Sequence, residues 1–151
     1  MAEDIKYVKN MINTVCPGYL TTMNNKLNIP ETRAMANTRL YDTLKTFFKG
    51  KENIIYFISH KSSPKAIQID KNSASSIYFP DSNSKTMESL TVYGKSRIVD
   101  DKKLKNEIWQ DDWKQYYKSG KEDPEYVLIE FTIEKYKFYG PNYKIHEGNF
   151  K

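Results

Sequence analysis

The most informative segment of the chain is Phe57-Ile58-Ser59-His60-Lys61-Ser62-Ser63-Pro64-Lys65. It begins inside an apolar run that predicts a strand over residues 54–59. Ser63 is a favoured N-cap residue and Pro64 suits the first helical position, so a helix is predicted to start here. Lys65 then lies in the first turn of that helix.

The start of this predicted helix has the chemistry of a phosphate-binding site. Free backbone N–H groups and the positive end of the helix dipole favour an anion at this position. Serine hydroxyls and the Lys65 ammonium add donors, and Arg33 on a neighbouring predicted strand could add a charge-assisted contact. An ordinary capped helix with a solvated lysine shows the same pattern and is more common, so both interpretations stay open.

The other patterns place this segment in a mainly β chain. Ile5, Val8 and Ile12 recur at helical spacing, which predicts an opening helix over residues 3–15. Apolar, β-branched and aromatic runs predict six strands, at residues 19–23, 27–40, 54–59, 74–79, 88–99 and 126–139. A turn over residues 80–83 and a helix over residues 100–119 are also predicted, whereas residues 41–53 are ambiguous between helix and loop.

Six strands interrupted by short helices predict a closed or nearly closed barrel. The length of 151 residues suits one domain, and we expect it to span residues 1–140. Residues 141–151 follow the Gly140-Pro141 break and are predicted to form a polar, mobile tail.

Composition narrows the function classes. The net charge is +5, but 24 basic residues are mixed with 19 acidic ones along the chain. This charge and the 12 tyrosines allow a basic β-barrel that stacks single-stranded nucleic acid on aromatic rings. That hypothesis leaves the Ser-Ser-Pro-Lys helix start unexplained, so we expect no nucleic-acid partner.

Several kinds of site are excluded by residue counts. Cys16 is the only cysteine, and the two histidines are isolated, so neither a disulfide nor a metal site is predicted. The glycines form no Walker or Rossmann pattern, and no Gly-x-Ser-x-Gly elbow occurs. The acidic start and the lack of a long apolar run predict a cytoplasmic protein without membrane contact.

The segment quoted above resembles the phosphate motif of the pyridoxamine 5′-phosphate oxidase-like flavoproteins. The fixed positions of that motif carry Phe57, Ser59, Ser63 and Lys65. Upstream, residues 32–35 resemble the strand of this family that bears an arginine. Downstream, residues 92–101, the helix with Trp109, and the strand over 127–139 are similar to the general stress protein branch.

The resemblance implies a six-stranded antiparallel split β-barrel of the FMN-binding type that pairs as a homodimer. FMN would lie in two clefts at the subunit interface, with its phosphate near Arg33, Ser63 and Lys65 and with Ser59 nearby. Ser89 stands where the parent oxidases carry a flavin-contacting glutamine. Trp109 is expected either to cover the flavin ring from the partner subunit or to belong to the core.

Two departures from the parent oxidases limit what the resemblance implies. Thr38 stands where they carry a substrate-binding lysine, and their C-terminal Arg-Leu-His-Asp-Arg element is absent. We therefore expect an FMN-binding oxidoreductase of unknown substrate that is not a genuine pyridoxamine phosphate oxidase. The alternative is a non-catalytic flavin-binding stress protein, and related barrels also accommodate deazaflavin or haem. No catalytic residue is predicted.

Overall fold

A computed structural model describes residues 2–81 and 85–151 as a mainly β structure with short helices. The helices are α1 (Ala2–Thr14), α2 (Lys45–Phe48), α3 (Pro64–Lys71) and α4 (Lys102–Ile108). The strands are β1 (Gly18–Asn24), β2 (Ile29–Met35), β3 (Ile54–His60), β4 (Ala74–Pro80), β5 (Ser89–Val99), β6 (Tyr126–Tyr139) and β7 (Ile145–Asn149).

The strands form one curled antiparallel sheet in the order β2-β1-β4-β5-β6-β3, with β7 also paired to β6. The longest pair, β5 and β6, changes register between Tyr93 and Gly94. A Cβ atom at Gly94 would lie 1.9 Å from the Thr132 carbonyl oxygen, so only glycine allows the two strands to approach this closely. The sheet is the curled half-barrel expected of a split barrel.

Alternating residues of β3 divide the apolar side chains between the two faces of the sheet. Ile55 and Phe57 face the barrel interior, which α1 covers with Val8 and Ile12. Tyr56 faces the other side and belongs to a second cluster beneath α4 and the 3-10 turn that follows it. The other members of this second cluster are Leu44, Phe48, Val99, Ile108, Trp113, Tyr117, Tyr126 and Leu128.

The two end strands of the sheet, β2 and β3, are joined by side chains that follow β2. The Thr38 hydroxyl donates to the Tyr56 carbonyl oxygen at 2.7 Å. The guanidinium Nη2 of Arg39 donates to the carbonyl of Lys51 at 2.7 Å and to that of Ile54. Arg39 is only 6% exposed, and burial lowers the pKa of its guanidinium to about 10, so it stays charged at neutral pH.

The C-terminal residues differ from their prediction because they form a seventh strand. β3 pairs with β6 only as far as Thr132, which leaves the rest of that edge open. β7 takes up this edge from Lys135 to Tyr139, and Phe150 is buried after it. An exposed strand edge favours such pairing, which is why residues 145–149 join the sheet despite their weak β pattern.

Two further predictions concern segments that connect the strands. The helix predicted over residues 100–119 is wrong beyond Ile108, because Trp109 adopts an extended ψ of 135° and a 3-10 turn follows at 111–115. The turn predicted over residues 80–83 falls partly outside the described residues, since Pro80 ends β4 and residues 82–84 are not described.

Replacing Arg39 with methionine should lower the free energy of unfolding by about 3 kcal/mol, because buried carbonyl oxygens lose their donors. Urea denaturation followed by tryptophan fluorescence measures this loss. As a control, Lys102→Met removes only an exposed ion pair with Glu122 and should cost less than about 1 kcal/mol. Equal denaturation midpoints for the two variants would show that other contacts join β2 to β3.

Candidate functional site

The candidate site lies where β3 ends and α3 begins. Ser63 has the extended backbone of an N-cap, and its Oγ accepts a hydrogen bond from the Ala66 N–H at 3.3 Å. The buried Ser59 hydroxyl lies 2.9 Å from Ser63 Oγ and also donates to the His60 carbonyl at 3.1 Å. Two of the predicted hydroxyls are therefore adjacent at the positive end of α3.

Glu125 holds the loop between β3 and α3 in place. Its Oε2 accepts hydrogen bonds from the Ser62 N–H at 3.1 Å and from the Ser62 hydroxyl at 2.6 Å. The Lys61 N–H donates to the Glu125 carbonyl at 2.8 Å. The bonds from Ser62 lower the pKa of the Glu125 carboxyl, which stays ionised and keeps the loop fixed at neutral pH.

Lys65 is half-buried in the first turn of α3, beside this loop. Within the described residues, its ammonium has no ion-pair or hydrogen-bond partner. Burial lowers the pKa of Lys65, and the positive charge of Arg33 lowers it further. A half-buried cation without a carboxylate partner favours an anion from outside the chain.

Arg33 lies close enough to act on Lys65, but its guanidinium is held within the protein. Nη1 donates to the Leu20 carbonyl at 3.2 Å, to Thr22 Oγ1 at 2.7 Å and to the Glu31 carbonyl at 3.1 Å. Nη2 donates to Gln68 Oε1 at 3.3 Å. Burial lowers the pKa of Arg33, and the Glu31 carboxylate partly opposes that shift.

A groove of about 200 Å³ opens beside these groups. Its walls are Ala36, Ile58, Ser59, His60, Lys65, Tyr116 and Tyr117. His60 is fixed here, because its Nε2 lies 3.1 Å from the Tyr116 carbonyl and its ring stacks on Tyr117 at 4.7 Å. Small-molecule sites usually enclose about 300–1,000 Å³, so one chain encloses only part of a nucleotide-sized ligand.

Trp109 is partly buried against the second apolar cluster and lies behind the groove wall, with its ring centroid 6.3 Å from that of Tyr117. Its ring packs 5.8 Å from Trp113 and 5.1 Å from Tyr126, and its Nε1 donates to Asp111 at 3.2 Å. Trp109 is thus a partly buried residue at the edge of this cluster. A contact with a ligand bound by the partner subunit stays a prediction.

Ser89 is buried at the start of β5, where it pairs with Tyr139. Tyr139 ends β6, whereas Tyr126 begins β6 and pairs with His60 beside the groove. Ser89 and the groove are thus at opposite ends of β6, and one chain does not bring them together. The structure gathers Ser59, Ser63, Lys65 and the charge of Arg33, but not Ser89.

Two residues that hold the site together, Gln68 and Glu125, were not predicted from the sequence. Gln68 lies between the buried Ala66 and Ile69, and a polar residue on the buried side of a short helix is a signal that could have identified it. Glu125 gave no such signal, because its contact with Ser62 spans 63 residues of sequence.

Residues 2–81 and 85–151 contain neither a cluster of metal ligands nor a membrane-spanning helix. No group of three or more histidine, cysteine, aspartate or glutamate side chains could hold a metal ion there. In the same residues, no helix has the length and apolar character needed to cross a membrane.

Comparison with known proteins identifies the family. A family model described as pyridoxamine 5′-phosphate oxidase like matches residues 3–143. The chain belongs to this family. A search of curated proteins found no match.

Solved structures share the fold at low sequence identity. A protein from Clostridium acetobutylicum related to general stress protein 26 is 20% identical and has a TM-score of 0.77, with 99% of this chain and 96% of that chain covered. General stress protein 26 from Bacillus anthracis is 19% identical with a TM-score of 0.72, covering 98% and 99% of the two chains.

A haem-binding protein from Mycobacterium smegmatis also matches, at 10% identity and a TM-score of 0.69. The match covers 96% of this chain and 57% of that one. These likenesses establish the split-barrel fold of the pyridoxamine 5′-phosphate oxidase-like chain.

Ser63→Ala should lower the free energy of unfolding by about 1 kcal/mol, because the Ala66 N–H loses its cap, whereas Ser63→Gly should cost only a few tenths. Urea denaturation of both variants without ligand measures the difference. Equal losses would show that the Ser63 hydroxyl does not act as the cap.

Proposed function

We propose that this family member binds FMN, with the FMN phosphate at the start of α3. Lys65 would supply an ammonium, Ser63 and Ser59 would supply hydroxyls, and Arg33 would add its positive charge from β2. The observation that carries the proposal is the half-buried Lys65, which faces Arg33 and has no carboxylate partner among the described residues.

The donor set suits a phosphate monoester. The site offers the Lys65 ammonium, hydroxyls and the N–H groups of a helix start, all of which bind phosphate oxygens, and Arg33 adds positive charge nearby. A deazaflavin phosphate would use the same donors, whereas haem carries carboxylates in place of the phosphate and would need an axial ligand from His60 or a tyrosine of the groove wall. The donors therefore favour a flavin phosphate over haem.

Thr38 supports the proposal that the chain is not a genuine pyridoxamine phosphate oxidase. Its side chain is buried, and its hydroxyl donates to the Tyr56 carbonyl that joins β2 to β3. At the position where the parent oxidases place a substrate-binding lysine, this chain thus has a small group that already serves the fold.

We further propose a homodimer with FMN at the subunit interface. The open groove of about 200 Å³ covers only part of such a ligand, so a second surface is needed to enclose the flavin ring. Ser89 and Trp109 would then contact FMN only across this interface. The cytoplasmic location expected from the sequence stays a prediction.

Bound FMN would supply redox chemistry through its ring, so the chain itself would only bind, orient and shield it. An oxidoreductase of unknown substrate is the function proposed first, and a non-catalytic flavin-binding stress protein is the alternative. Both use the same binding residues, and they differ only in whether an acceptor can reach the ring.

Lys65→Ala should weaken FMN binding by about 10- to 100-fold, because a charge-assisted contact to phosphate is lost. Its affinity for riboflavin, which lacks the phosphate, should stay unchanged. Fluorescence titration with both ligands measures these affinities. Lys71→Ala, at the far end of the same helix, is the matched control and should bind FMN like the wild type. Unchanged FMN affinity in Lys65→Ala would contradict the proposed site.

Purified protein mixed with FMN and gel-filtered should elute at dimer size with about one FMN per chain. Light scattering and flavin absorbance along the peak measure mass and stoichiometry. Reoxidation of the bound reduced flavin by acceptors, compared with free FMN, then separates the two functions. Faster reoxidation with any acceptor supports the oxidoreductase, and slower reoxidation with all of them supports the binding protein. A monomer that releases all FMN would contradict both.

A further inference from the structure

One buried amide, that of Gln68, attaches α3 to the hairpin formed by β1 and β2. Gln68 is 9% exposed. Its Oε1 accepts hydrogen bonds from Thr22 Oγ1 at 2.6 Å and from Arg33 Nη2 at 3.3 Å. Its Nε2 donates to Glu31 Oε2 at 2.7 Å. All three partners belong to the hairpin, so a single side chain joins the helix to both strands.

Glu31 completes this network and balances its charge. Its Oε1 accepts a hydrogen bond from Asn24 Nδ2 at 2.8 Å, and its Oε2 lies 3.6 Å from Arg33 Nη2. The bonds from Gln68 and Asn24 lower the pKa of the Glu31 carboxyl, so it stays ionised at neutral pH. Arg33 thus has its counter-charge within the network.

The network lies next to Lys65 on the surface of α3. Gln68 follows Lys65 by three residues, so both lie on adjoining parts of the helix surface. Ala66 and Ile69 anchor α3 through apolar contacts, but such contacts have no preferred direction and allow a short helix to rotate. The directional bonds of Gln68 resist that rotation, and a rotation would carry Lys65 and Ser63 away from the groove.

We propose that Gln68 is a positioning residue for the phosphate end of the ligand, and that Arg33 acts through Gln68 rather than by a direct forked contact. Both Nη atoms of Arg33 already donate to acceptors of the protein. This inference rests on the proposed FMN binding and adds the residues that orient α3 for it.

The test compares FMN with riboflavin in Gln68→Met, which keeps the side-chain length but loses the three hydrogen bonds. FMN affinity should fall by roughly tenfold or more, as for other residues that orient a ligand-binding group, while riboflavin affinity stays within about twofold. In the Lys65→Ala background, Gln68→Met should have no further effect on FMN affinity, since the group that it positions is gone. A merely structural role would lower both affinities and would add to the Lys65 loss.

Two further variants make the test robust. Thr22→Val removes the bond to Gln68 and the acceptor of Arg33 Nη1 at nearly unchanged shape, so it should lower FMN affinity relative to riboflavin affinity as Gln68→Met does. Glu130→Gln is the matched control, because Glu130 is also 9% exposed and bonds Tyr56 and Arg97 away from the groove. Glu130→Gln should lower the melting temperature without changing the ratio of FMN affinity to riboflavin affinity.

The outcomes separate the two proposals. If the wild type does not bind FMN, the proposed function and this inference both fall. If the wild type binds FMN but Gln68→Met and Thr22→Val keep the wild-type ratio, only the inference falls. Additive losses in the double variant with Lys65→Ala would also overturn it.

Discussion

The fold depends on the contacts that join β2 to β3, the two end strands of the sheet. β2 and β3 end the strand path, so neither has a neighbouring strand on its outer side. Arg39 supplies donors to carbonyl groups at the start of β3, because a planar guanidinium presents several N–H groups in fixed directions. The groove opens towards the other end of β3, between Ala36 after β2 and Ser59.

The basic side chains near the groove differ in whether a carboxylate lies beside them. Glu31 balances Arg33, and Asp100 lies 3.4 Å from the Lys61 ammonium. Lys65 has neither a carboxylate partner nor a hydrogen-bond partner among the described residues. Because unpaired cations are unfavourable when half-buried, this arrangement destabilises the free protein slightly and is relieved when an anion binds.

The features that could be predicted from the sequence are those that depend on neighbouring residues. The start of α3 depends on the adjacent residues Ser63 and Pro64. Its position, and that of Lys65 in the first turn, could therefore be predicted from the sequence. The hydrogen bond from Arg33 to Gln68 spans 35 residues and depends on how α3 lies on the hairpin, which no local pattern encodes. β7 was missed for a similar reason, since it forms on an edge of β6 that is open only because β3 ends early.

Barrel closure also determines which side chains stay accessible from the groove. Thr38 is buried and its hydroxyl helps to join β2 to β3, so it is not accessible from the groove. The accessible side chains on this side are those that line the groove. Tyr116 is more than half exposed there, and His60 is held beside it by a contact with the Tyr116 backbone. The groove thus offers aromatic surface at Tyr116 and Tyr117 and a positive charge at Lys65, so both stacking and ion pairing are available there.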